Sequence, residues 1–149
     1  MIVTWGDFMP KDTNALLKEL QQFSTFQRFY DENRAQLASV SLSDYLEKLI
    51  EEKHLNKADI VENSEMSEVY AYQILSGIRK NPKREKVLCL AIGMGLSCEE
   101  IQQLLKTTGY APLYAKNPFD AIIIYGVAKG LGVVEINNLL FEYEQETLG

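Results

Sequence analysis

Ser67-Glu68-Val69-Tyr70-Ala71-Tyr72-Gln73-Ile74-Leu75-Ser76-Gly77-Ile78-Arg79-Lys80-Asn81-Pro82-Lys83-Arg84 decides the reading of this chain. Ala71, Ile74, Leu75 and Ile78 fall at i, i+3, i+4 and i+7. That spacing predicts a helix over about 68–76 with these four side chains turned inward. Ser67 is a good N-cap, and Gly77 is a natural stop. Glu68, Tyr70, Tyr72, Gln73 and Ser76 are then left on the outward side. A turn holding Arg79, Lys80, Lys83 and Arg84 around Pro82 follows at once. A helix presented outward beside a basic turn suits a surface that meets phosphate.

The next layer outward is Leu55 to Pro82, read as one unit. Asn56 caps a helix over about 57–64, with Ile60 and Val61 on its buried side. Ser64-Glu65-Met66 turns the chain into the helix that Ser67 caps. Two short helices joined by a tight turn, the second exposing its first residues, is the helix-turn-helix design. A major groove admits one helix, and side chains near that helix's start reach base edges. The charge distribution agrees locally. The chain carries a formal net charge of −6, yet residues 64–86 hold five basic and three acidic side chains. The segments on either side are acidic, so binding is expected to be salt-sensitive and modest per subunit.

With its flanking helices, this stretch resembles the lambda-repressor-like (Cro/XRE) helix-turn-helix family. The resemblance runs from about Leu42 to Lys106. It is carried by Tyr70-Ala71-Tyr72-Gln73-Ile74, Ser76-Gly77, Arg79 to Pro82, and a following helix that ends in Gly95-Leu96-Ser97 with Glu100. It implies an all-α, five-helix DNA-binding domain of a bacterial-type transcription regulator, commonly dimeric, with double-stranded DNA as partner and no cofactor. Under it, Lys57 starts the first motif helix, at a phosphate-contacting position. Ser67, Glu68, Tyr70, Tyr72 and Gln73 occupy base- or backbone-facing positions. Arg79, Lys80, Lys83 and Arg84 lie in the loop beside the phosphates. Gln73 is the leading candidate for a base contact, bidentate to adenine. Glu65 stands where the family carries glycine, so a differently shaped turn is expected. Each reading has a plainer rival. The tyrosines can instead be half-buried between packed elements, and the cations can be a solvated turn.

The rest of the chain reads as helical too. Leu42, Tyr45, Leu46, Leu49 and Ile50 form an amphipathic face after a break at 39–43. Further helices are expected at about 84–94, 98–107, 119–129 and 133–144. Ile122-Ile123-Ile124-Tyr125 is β-rich but lies in a helical repeat, and is expected in the core. Residues 86–105 can be laid on 121–140 with a shift of 35, and Leu55 to Ile60 is a weaker third copy. Each copy is a helix, a corner ending in Leu, and a cap with an acid three residues on. Ser97 with Glu100 is a capping box, and Ser24 with Gln27 is expected to be another, restarting a helix opened at 10–13.

The organisation expected is therefore an N-terminal extension over 1–40, a helix-turn-helix domain over 41–107, and a C-terminal helical hairpin over 108–149. Trp5, Phe8, Phe23, Phe26, Phe29 and Tyr30 on one flank, and Leu139, Leu140, Phe141 and Tyr143 on the other, are expected to pack on the centre and to build a homodimer or partner interface. His54, the one histidine, reads as a helix end, and Cys89 and Cys98 as core residues. There is no nucleophile–base pair, no phosphate-cradling glycine loop and no metal spacing, so neither an enzyme nor a metal site is expected. No signal peptide or spanning segment is read, and a cytoplasmic location follows. The rival function is a protein-interaction adaptor on the same scaffold, motivated by pI ≈ 4.9, Glu68 and the aromatic flanks.

Overall fold

A computed structural model describes residues 11–37 and 40–149. Pro10, Trp5 and Phe8 lie outside them. The described residues form nine α-helices and no strand. They divide into two compact units, one up to Ser39 and one from Val40 to Gly149.

In the first unit, α1 (Thr13–Gln22) starts where the Asp12 carboxylate accepts from the Asn14 N–H at 2.7 Å. α2 (Phe26–Leu37) starts differently from expectation. Thr25, not Ser24, is its cap: the Thr25 hydroxyl accepts from the Arg28 N–H at 3.3 Å. The helix opens one residue later than a Ser24–Gln27 box needs, and the Gln27 amide instead donates to Asp31. Phe29 is buried, with Phe23 edge-on to it at 5.9 Å. Leu17, Leu20, Phe26 and Tyr30 are exposed.

The second unit holds α3 (Leu42–Lys53), α4 (Lys57–Asn63), α5 (Glu68–Ser76), α6 (Arg84–Gly93), α7 (Cys98–Thr107), α8 (Pro118–Ala128) and α9 (Val133–Glu142). Ser41, Asn56, Ser67, Ser97 and Asn117 each cap the helix that follows by accepting a backbone N–H two residues into it. Leu42, Tyr45, Leu46 and Ile50 bury one face of α3. α6 has no polar side: Val87 to Ile92 are all buried, so it is the central helix of the unit. Gly93 lets α6 cross α4 at backbone contact, because a Cβ there would lie 2.9 Å from the Ile60 carbonyl oxygen and the Ser64 nitrogen.

The repeat in the sequence is a repeat in the backbone. α6–corner–α7 and α8–corner–α9 share one design, and α3–corner–α4 is its third copy. At each corner one residue is left-handed: His54 (φ 55), Gly95 (φ 71) and Gly130 (φ 74). The leucine after it donates its N–H five residues back, Leu55 to Ile50, Leu96 to Ala91 and Leu131 to Gly126. Such bonds satisfy carbonyls that a helix end would otherwise orphan. Ser97 and Glu100 complete a reciprocal box, and Glu135 supplies its half by accepting from the Gly132 N–H at 3.1 Å.

Ile123 in α8 and Val133, Ile136 and Leu140 in α9 belong to the same hydrophobic core as Leu46, Ile74, Leu88 and Leu104. Ile122 and Ile124 are half-buried and Tyr125 is exposed, as a helix through that run requires. Leu148 also enters this core, with its N–H bonded to the Asn137 side chain at 2.7 Å. Phe141 and Tyr143 stay exposed.

Candidate nucleic-acid interface

α4 ends at Asn63, Ser64 is buried with its hydroxyl bonded to the Val61 carbonyl, and Glu65 is left-handed at φ 57. Glu65 thus holds a left-handed backbone shape that favours glycine, with its Cβ bearing the strain. The expectation of a differently shaped turn is corrected by that angle. Ser67 then accepts from the Tyr70 N–H at 3.2 Å and launches α5.

Ala71, Ile74 and Leu75 are buried, as their spacing predicts. Ile78 is not: it is 73% exposed. The helix ends at Ser76, Gly77 turns left-handed, and the chain leaves the axis before the i+7 position is reached. A periodicity argument extended past a helix stop fails at that residue.

The outward side of α5 is uneven. Ser67, Glu68, Tyr72 and Ser76 are exposed, and Val69 is 68% exposed at the first turn. Tyr70 and Gln73 are half-buried and already engaged. The Arg79 guanidinium lies over the Tyr70 ring, 4.4 Å from its centroid. Its Nε donates to the Gln73 Oε1 at 2.7 Å, and the Arg79 backbone N–H donates to the Gln73 carbonyl at 3.0 Å. Lys86 adds its ammonium 5.8 Å from the same ring. Lys86 belongs to the basic window, but its place in the first turn of α6 carries no sign in the sequence of its approach to Tyr70. Tyr110, far along the chain, fixes the loop by donating its hydroxyl to the Pro82 carbonyl at 2.5 Å. Burial raises the Tyr110 phenol above its ordinary value.

Arg79, Lys80 and Lys83 are exposed. Arg84 is not in their company. It forms a two-pronged pair with Asp120, 2.8 and 3.0 Å, and donates to the Ala111 and Pro112 carbonyls at 2.9 and 3.2 Å. Asp120 is buried and also accepts from the Tyr114 N–H. Arg84 therefore ties α6 to the start of α8, with all three guanidinium nitrogens engaged inside the protein. Lys57 pairs with Glu47 across α3 and α4 at 2.9 Å, an exposed pair that a stronger anion can displace.

A concavity of about 710 Å³ lies at the three corners, with His54, Asn56, Asp59, Leu96 and Glu135 on its wall. Asn56, Asp59 and Glu135 there serve helix starts. The Cys89 thiol is pushed up to about 11 by burial, which makes it unreactive at neutral pH. Among the described residues there is no group of three or more His, Cys, Asp or Glu that could hold a metal ion, and no helix long and apolar enough to cross a membrane. No protein-family model, curated protein or solved structure matches the chain.

Proposed function

We propose that α3 to α7 form a lambda-repressor-like helix-turn-helix domain and that the protein is a sequence-specific, double-stranded-DNA-binding regulator of transcription. The observation that carries this reading is the first turn and a half of α5, exposed at Glu68, Val69 and Tyr72, beside a loop whose exposed cations are Arg79, Lys80 and Lys83. The tight left-handed turn between α4 and α5 supports it, since it sets the second helix outward from the first. Val69 suits a thymine methyl, and Glu68 can accept from a cytosine amine. The active unit is a homodimer, because half-site recognition pairs two such helices. Phe141, Tyr143 and Val134 on and after α9 supply exposed apolar surface for that contact.

The test is binding to genomic fragments across salt. A dimer neutralising roughly six to eight phosphates gives a log-log salt slope near −5 to −7. No binding at about 50 mM salt would end the DNA reading. A monomeric mass by light scattering across micromolar concentrations would end the dimer. A second reading, a protein-interaction adaptor on this scaffold, is favoured by Val69 and Ile78, both more than two-thirds exposed on the same segment. It requires a partner whose binding is lost in Val69→Asp and is insensitive to salt.

A further inference from the structure

We infer that Tyr70 and Gln73 are positioning residues that hold Arg79 as a preset phosphate clamp, and that neither reads a base. The proposal deepens the DNA reading and rests on it for the source of the phosphate. Its basis is the geometry around one guanidinium. A free arginine at a loop loses much rotamer freedom when it grips an anion. Here that loss is taken on folding. The ring of Tyr70 supports one face of the guanidinium at 4.4 Å, and the Gln73 Oε1 accepts a hydrogen bond from Nε at 2.7 Å. The backbone bond from Arg79 to the Gln73 carbonyl sets the starting point of the side chain. With Nε taken, the two terminal nitrogens are the part of the fork left for an incoming oxygen pair, and among the described residues they meet no acceptor. Two parallel N–H donors suit a phosphate bidentately. Lys86 brings a second charge to the same ring, which concentrates positive potential at this spot in an otherwise acidic chain.

The consequence for recognition is a change of roles. The Gln73 carboxamide oxygen, which a bidentate grip on adenine would need, is already accepting from Arg79. Tyr70 has one ring face covered. Sequence reading then falls to Glu68, Val69 and Tyr72, the exposed residues of the first turn and a half.

The test uses the full chain as wild type, Tyr70→Phe, Tyr70→Ala, Gln73→Ala, Arg79→Ala and the Tyr70→Ala/Arg79→Ala double variant, with folding checked by circular dichroism. Binding to random-sequence duplex is read as a function of salt. Arg79→Ala should lower the slope by about 1 per subunit. Tyr70→Ala should weaken binding about two- to fivefold, Tyr70→Phe should leave it unchanged, and Tyr70→Ala should add nothing once Arg79 is gone. Should Tyr70→Ala unfold the chain, Gln73→Ala, alone and combined with Arg79→Ala, carries the same comparison. Equal losses from Tyr70→Ala with and without Arg79, or an altered preferred sequence in Gln73→Ala, would overturn the proposal. A second measurement separates it from the DNA reading. Inorganic phosphate titrated into the wild type should shift the Arg79 Nε–H resonance, and shift it less in Gln73→Ala. If genomic DNA is not bound but this shift is seen, the regulator reading falls and the clamp stands. If Arg79 does not respond, the clamp falls.

Discussion

Arg84 shows how one residue can be right for a surface and still be spent inside. In the sequence it is one of four cations around Pro82. In the fold its two-pronged bond to buried Asp120 and its bonds to two carbonyls engage all three guanidinium nitrogens. Removing Asp120 would leave a cation one-fifth exposed with only carbonyls for company. Asp120→Ala should therefore cost about 3 kcal/mol in urea unfolding while leaving the salt slope of DNA binding unchanged. Glu100 carries a prediction of the opposite pH character from a histidine switch. The Lys53 ammonium at 2.6 Å, helped by the Ser97 N–H, holds its carboxyl below the ordinary value of 4.5. A carboxylate lowered in the folded state stabilises above its unfolded value, and that contribution is lost as pH falls through the folded one. The urea midpoint of the wild type should thus exceed that of Glu100→Gln at pH 7, and the difference should shrink below about pH 4.

At the scale of helices and turns, the left-handed residues are the informative ones. Gly77, Gly95 and Gly130 occupy such positions without strain, but His54 and Glu65 occupy them with a Cβ. Each substitution to glycine should raise stability, His54→Gly and Glu65→Gly by about 1 kcal/mol apiece, measured as a shift in urea midpoint at constant slope. A loss in either would mean that the side chain makes a contact worth more than the strain. The helices themselves were legible from periodicity and caps: the α5 and α7 boundaries expected at 68–76 and 98–107 are the ones observed. Ile78 was not, because a helix stop cancels the period beyond it. The site was legible in part. Local spacing marks which face of α5 is buried, but it carries no information on which loop cation returns to which helix residue. That is decided by bonds across six residues for Arg79 and Gln73, and across thirty-six for Arg84 and Asp120.

Over the whole molecule, the question is what the interface needs around it. Residues 41–107 contain every helix of the proposed DNA-binding domain, yet Ile123, Ile136, Leu140 and Leu148 fill the same core as that domain's own side chains. Leu140→Ala, a change in the C-terminal hairpin, should cost about 2–5 kcal/mol and lower the unfolding midpoint of α5 along with that of α9, as read by hydrogen exchange at amides in both helices. Separate midpoints would show that the hairpin is an appendage.

The Arg84–Asp120 tie has a final implication, for portability. A helical unit that folds alone can be cut out, fused to new partners or shuffled between genes. This one is riveted to its neighbour at the residue that follows its basic loop, so a fragment ending near 107 would expose an unpartnered arginine and open a seam in its own core. Exchange of residues 41–107 as a module should therefore break the fold, whereas changes on the exposed surface of α5 leave that tie in place.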